Sequence, residues 1–225
     1  MPGIDELLVA RNRHISNALS IAHGTPIHII RGEMQYLLSS DGKRYLDLVN
    51  NVSHVGHCNP HVVEAGQRQM EVLNTNSRYI YEGLTDYIAR LSRYLPEPLN
   101  VGFLVNSGSE ANELAIRLAK SHTGLRDMAV IEGAYHGHTG MLIDLSPYKF
   151  RGPGGKGSPE PWVHVAPLPD SYRRPGENYS HELIRTLRNS EGAAGLLIET
   201  MLSCAGQIPL PTGYLSQAAS TIRDQ

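Results

Sequence analysis

The stretch Asn100–Lys120, NVGFLVNSGSEANELAIRLAK, sets the tightest limit on how this chain can fold. An apolar run, Val101–Val105, ends in Asn106-Ser-Gly-Ser and passes directly into a stripe of helical period, Ala111, Leu114, Ala115, Leu118 and Ala119. That order predicts a buried strand, a tight turn and a helix whose first amides face the carboxyl end of the strand. Ser107 and Glu110 have the spacing of a capping box. Gly108 lets the backbone come close to a ligand. The amides of Gly108, Ser109 and Glu110, with the hydroxyl of Ser107 or Ser109, would cradle an anion at the positive end of the helix. A phosphate is the natural guest. A helix cap with no ligand has the same spacing, so this segment alone leaves both readings open.

The surrounding pattern places the segment in a class of fold. Glu110–Lys120 reads as a helix, Met128–Ile131 and Trp162–Ala166 as strands, His181–Arg188 as a helix and Ala194–Ile198 as a strand, while Gly152–Ser158 is an irregular loop. Buried runs alternating with amphipathic helices predict an α/β fold, a mostly parallel sheet with helices on both faces. Upstream, Ile4–Ala22 reads as an amphipathic helix. His28–Arg31, Gln35–Leu38 and Tyr45–Val49 read as a small antiparallel meander with a turn at Ser39–Gly42, and Pro60–Asn74 and Leu84–Tyr94 as helices. The expected division is a helix and meander over residues 1–49 and an incomplete large domain over 50–225. The final stretch, Tyr214–Gln225, begins a helix, and four strands leave a doubly wound sheet unfinished. The chain is therefore expected to be a piece of something longer.

Composition narrows the partners. Among 225 residues, 20 basic and 22 acidic side chains give a net charge of −2, and no block of like charge occurs. This argues against nucleic acid or an acidic membrane surface. Hydrophobic residues make up 40% of the chain, enough for a sizeable core. The apolar stretch near Ala193–Ile198 is too short to span a bilayer. Two cysteines, Cys58 and Cys204, make no disulfide framework and suit a reducing compartment. A cytoplasmic protein is expected.

Two further strand ends carry chemistry. Glu132-Gly-Ala-Tyr-His-Gly-His138 follows the strand at Met128, and Ile198-Glu-Thr-Met follows the strand at Ala194. In an open α/β sheet, ligands bind beyond the carboxyl ends of the strands. Tyr135 could stack on a planar ring there, with His136 beside it. Glu199, a carboxylate closing a buried strand, is costly unless paired. Three successive strand ends thus supply a phosphate cradle, an aromatic and a carboxylate. Gly152–Ser158 lacks the first glycine, the strand and the helix of a P-loop, and Gly133, Gly137 and Gly140 have the wrong spacing for a dinucleotide fingerprint. His54, His57, Cys58 and His61 have the residue types of a metal site, but Gly56 and Pro60 break any helix that would align them and no second cluster completes a tetrahedron. No metal is expected.

The motifs NSGSEAN, EGAYHGHTG and IET…GQIPLPTGYL, in this order and at these intervals, resemble class III (fold type I) pyridoxal-phosphate aminotransferases from about His14 onward. The resemblance implies that Ser107, Gly108 and Ser109 hold the cofactor phosphate, that Tyr135 stacks on the pyridine ring with His136 beside it, and that Glu199 borders the substrate side. Asn50–His57, Leu73–Arg78, Ser146–Phe150 and Val163–Pro167 are similar to the branch of ethanolamine-phosphate and phosphohydroxylysine phospho-lyases. Leu202 departs from the glutamine most class III members have there.

The resemblance covers roughly the first half of a family member. The family's Schiff-base lysine lies beyond Gln225, and none of Lys43, Lys120, Lys149 and Lys156 falls in a matching motif. The implied parent is a homodimer that binds a small primary amine, expels phosphate from a phosphorylated one, and meets that phosphate with Arg78 and Asn76. Ordinary transfer of the amine to a 2-oxo acid is the alternative on the same site. A non-catalytic fragment that at most binds cofactor is the rival from another class, and a metal hydrolase on the histidine cluster is a third. By itself the chain is expected to be inactive or nearly so.

Overall fold

The computed structural model describes residues 2–49, 54–187 and 190–224. Residues 50–53 of the Asn50–His57 motif and Arg188, the expected end of a helix, lie outside them. The chain divides into two compact units, Met1–Asp86 and Tyr87–Gln225.

The first unit begins with α1 (Ile4–His14), shorter than the expected Ile4–Ala22. Ile15 is already extended, and Ser16 Oγ accepts from the Ala18 amide at 3.3 Å. A side chain that bonds its own backbone in this way competes with helix propagation. The meander forms as read: β1 (Ile29–Glu33), β2 (Tyr36–Ser39) and β3 (Arg44–Leu46) pair antiparallel in that order. β3 stops short of the expected Val49, although the Asp47 amide still bonds the Gln35 carbonyl at 2.9 Å. Then comes α2 (Pro60–Val72), capped by Asn59, whose side chain accepts from the His61 amide, with Pro60 in the first turn. α3 (Glu82–Ser92) carries the chain into the second unit.

The second unit is the α/β body. β4 (Asp127–Ile131) is central, with β5 (Val163–Ala166) and β6 (Ala193–Leu197) parallel on either side in the order β5-β4-β6. The two-residue period of a strand divides β4 between two cores. Met128 and Val130 pack with Ile116 of α4 (Gly108–Thr123) and Leu142 of α5 (Gly140–Asp144). Ala129 and Ile131 pack with Leu183 and Leu187 of α7 (Tyr179–Leu187) and Ala218 of α8 (Tyr214–Arg223). Both faces are covered, which is why Met128–Ile131 is an unbroken apolar run. Between β4 and β5 lies α6 (Pro147–Phe150), and a short hairpin of β7 (Met201–Leu202) and β8 (Ile208–Pro209) follows β6.

One expected strand is missing. Val101–Val105 pairs with no described residue, and Val101 and Phe103 are 84% and 65% exposed. An apolar run becomes a strand only where a neighbouring ladder takes its amides and carbonyls. A second correction concerns α4. Ala111, Ala115 and Leu118 of the expected stripe are exposed, and the fully buried side chain is Ile116. Asn112 shares that buried side and donates to the His136 carbonyl at 2.8 Å. That bond and the seating of Ile116 turn the helix by roughly 100°, one residue's step. No described helix is long and apolar enough to cross a membrane.

Candidate functional site

The turn into α4 is built by Ser107, which is extended at φ −154° and caps the helix by accepting from the Glu110 amide at 3.1 Å. Glu110 reaches back, but to the amide of Asn106 at 2.7 Å, one residue beyond the reciprocal partner of a capping box. The Ser107 hydroxyl and the Glu110 amide are thus engaged with each other. What remains are the amides of Gly108 and Ser109, which have no carbonyl inside the helix to bond. A Cβ placed on Gly108 would meet nothing within 4 Å, so the turn is uncrowded on that side. Two amides without helical partners thus form a candidate anion cradle at the positive end of a 16-residue helix.

The loop after β4 lies against that cradle. The His138 amide approaches Ser109 Oγ at 3.4 Å, and the Asn112 side chain holds the His136 carbonyl. Gly137 sits at φ +141°, where a Cβ would come within 2.7 Å of Ser109 Oγ and 2.5 Å of Leu142 Cδ1. Only glycine permits this approach. Tyr135 is half-buried at the start of the loop, and its amide donates to Glu199 Oε1 at 3.3 Å. Glu199, just past β6, takes two further bonds on Oε2, from the Ser203 amide at 3.1 Å and the Ser203 hydroxyl at 2.8 Å. The structure therefore brings Ser109, Tyr135, His136 and Glu199 to the carboxyl ends of β4 and β6, beside the Gly108 turn.

His136 is buried, and its Nε2 has no hydrogen-bond partner among the described residues. Burial pushes its pKa down to about 4, against an opposing pull from the Glu199 charge. The ring is neutral near pH 7 and has one nitrogen to offer. Cradle, half-buried aromatic and unmatched imidazole together fit a planar group that carries a phosphate.

Sequence reasoning gave Ser146–Phe150 no chemical role, yet this segment braces the loop. Ser146 is fully buried; its hydroxyl donates to the Leu142 carbonyl at 2.6 Å and accepts from the His136 amide at 2.9 Å. The Tyr148 amide donates to the Ala134 carbonyl at 3.1 Å, and the Tyr148 and Tyr135 rings meet edge to face at 6.2 Å. Pro147, directly after Ser146, is the signal that marks the helix start. Asn76 and Arg78 lie in the first unit, both exposed, in a turn where Asn76 Oδ1 accepts from the Arg78 amide at 3.0 Å. In the histidine cluster, His57 Nε2 lies 2.7 Å from Asp47 Oδ2, and no group of three metal-ligating side chains forms among the described residues. Leu202 is fully buried in the core beneath α7 and α8.

The chain is similar to known proteins along nearly its whole length. The family model Aminotransferase class-III matches residues 20–225. Alanine–glyoxylate aminotransferase 2-like of Drosophila melanogaster is 41% identical over 97% of this chain and 47% of its own length. Ethanolamine-phosphate phospho-lyase homolog 1 of Caenorhabditis elegans is 37% identical over 98% of this chain and 51% of its own. A phospholyase from Arthrobacter, solved in complex with phosphoethanolamine, superposes with a TM-score of 0.86 at 30% identity, covering 97% of this chain and 53% of that one. The chain spans about half the length of the curated relatives it matches.

Proposed function

We propose that this chain, which belongs to the class III aminotransferase family, carries the phosphate seat and ring clamp of a pyridoxal-phosphate enzyme that eliminates phosphate from a small phosphorylated amine. The family is pyridoxal-phosphate dependent. The observation that carries the proposal is the convergence of a free helix N-terminus at Gly108 and Ser109, the half-buried ring of Tyr135, the neutral His136 and the engaged carboxylate of Glu199 at one edge of the parallel sheet.

Each residue has a role in this reading. The amides of Gly108 and Ser109 take the cofactor phosphate, with Ser107 capping the helix that presents them. The Tyr135 ring lies against the pyridine, and Glu199 and Ser146 hold the two ends of the loop that aims it. His136 offers an uncharged ring nitrogen inside the site. When bound, pyridoxal phosphate would supply an electron sink for the electron pair left as the proton beside the substrate nitrogen departs. Overall, the Cα–H bond and the neighbouring C–O bond to phosphate break, and water releases an aldehyde and ammonia. The phosphate leaves most readily toward positive charge. Arg78, with Asn76 beside it, is the candidate for that charge.

The names of the relatives support elimination and amine transfer alike, and the Drosophila protein is the observation that favours transfer. A homodimer in the cytoplasm belongs to the same proposal; the free thiols of Cys58 and Cys204 suit a reducing compartment. The deciding experiment supplies the intact protein and its cofactor with phosphoethanolamine, or with an unphosphorylated amine plus pyruvate. Faster release of inorganic phosphate supports the phospho-lyase reading. Faster formation of alanine overturns it in favour of transfer.

A further inference from the structure

Four lysines occur in the chain: two pair with carboxylates, one lies over a tryptophan ring, and one stands beside the candidate site. Lys43 pairs with Asp41 at 2.8 Å, Lys156 bonds Asp144 at 3.2 Å and also Glu160, and Lys120 lies 4.0 Å above the Trp162 ring at the far end of α4. Lys149 has no carboxylate partner among the described residues. It projects from α6, the helix braced onto the candidate site by Ser146 and Tyr148, with Nζ 5.5 Å from the centre of the Tyr135 ring and 5.6 Å from that of Tyr148.

The nearby carboxylates are already engaged. Arg151 NH1 bonds Glu132 Oε1 at 3.1 Å, and Glu199 is held by Tyr135 and Ser203. A cleft of ≈ 410 Å³ opens beside Lys149, bounded by Glu132, Gly133, Tyr148, Arg151 and Gly152. The ring faces stabilise the ammonium by about 0.5–1 kcal/mol at an exposed position, and they consume none of its three N–H donors. A cation with unused donors, held over the ring that clamps a cofactor, attracts an anion delivered with the substrate.

We propose that Lys149 and the cleft beside it form the subsite for the phosphate monoester of the substrate, with the cation lying in the same unit as the cofactor residues. The inference rests on the phospho-lyase reading above. Lys149 is a specificity-determining residue on this account, and the cofactor's own phosphate stays at Gly108 and Ser109.

The test uses the intact, cofactor-loaded protein with inorganic phosphate as the probe, measured by calorimetry. Lys149→Gln should weaken phosphate binding roughly tenfold or more, the worth of one charge-assisted hydrogen bond. Lys149→Arg should retain most of it, and the affinity for pyridoxal phosphate, titrated by absorbance, should not change. Unaltered phosphate affinity in Lys149→Gln overturns the proposal. So does a loss that appears in cofactor affinity instead, because the cation would then serve the cofactor's phosphate. A wild-type protein that takes phosphorylated and unphosphorylated amines equally well contradicts the phospho-lyase reading itself. A wild type that prefers the phosphorylated amine, with a Lys149→Gln variant that keeps this preference, contradicts only the subsite.

Discussion

The amide of Tyr135 donates to the carboxylate of Glu199 at 3.3 Å, across 64 residues of sequence, and so joins the loop after β4 to the end of β6. The bond makes Glu199 a positioning residue for the aromatic ring. Glu199→Ala leaves the Tyr135 amide and the Ser203 amide and hydroxyl without their acceptor, a loss of about 1–3 kcal/mol in stability. Cofactor affinity should fall with it. Ser203→Ala, which keeps the Tyr135 bond, should cost less on both scales. Urea denaturation and an absorbance titration with pyridoxal phosphate read the two effects, and an unchanged affinity in Glu199→Ala would remove Glu199 from the site.

Two glycines separate packing from ligand binding. Gly137→Ala forces a Cβ to within 2.7 Å of Ser109 Oγ at φ +141°, so stability should drop by roughly 1–3 kcal/mol. Gly108→Ala meets no atom within 4 Å and replaces a helical glycine, so stability should hold or rise by up to about 1 kcal/mol. Its methyl group adds bulk beside the two amides, and affinity for phosphate and for cofactor should fall. Equal affinity in Gly108→Ala and wild type would show that the phosphate sits elsewhere.

His136 gives the fold a pH dependence of known sign. Its pKa is about 4 in the folded chain and near 6.5 when exposed, so between these values the unfolded chain holds a proton that the folded one lacks. Stability is therefore lost as pH falls from about 6.5 toward 4, by up to about 3 kcal/mol from this group. His136→Gln removes that contribution while leaving the other titrating groups in place. Urea midpoints across this range should fall less steeply for the variant, and parallel curves would contradict the burial of a neutral imidazole.

Covalent capture of the cofactor should not occur on the lysines of this chain. Lys43 and Lys156 are paired with carboxylates, and Lys120 lies at the far end of α4 from Ser109, roughly 16 Å along the helix axis. Borohydride reduction in the presence of pyridoxal phosphate, followed by peptide mapping, should show no stoichiometric adduct on any of the four. An adduct on Lys149 would assign that residue a covalent role in place of the phosphate subsite.

Much of the α/β body was legible in sequence because β4 is covered on both faces. The unbroken run Met128–Ile131, the helical period of α7 and the cap at Ser107 each reflect one local constraint. The rotation of α4 was not legible, because it depends on Asn112 meeting the His136 carbonyl, a contact between residues 24 apart that no periodicity encodes. Val101–Val105 has the composition of a buried strand, but composition carries no information about a pairing neighbour. In the site, Gly108, Ser109, Tyr135 and Glu199 stand at element ends, where turn chemistry and the sheet-edge rule find them. Ser146 and Lys149 act through tertiary contacts of α6, a four-residue helix whose Ser-Pro start is its local signal.

The central claim is that the amides of Gly108 and Ser109 seat the cofactor phosphate with Tyr135 against its ring. A crystal structure of the intact protein with pyridoxal phosphate bound tests it directly. The account predicts phosphate oxygens about 3 Å from both amides and the Tyr135 ring stacked on the pyridine. A cofactor whose phosphate contacts neither amide, or whose ring lies away from Tyr135, would contradict it.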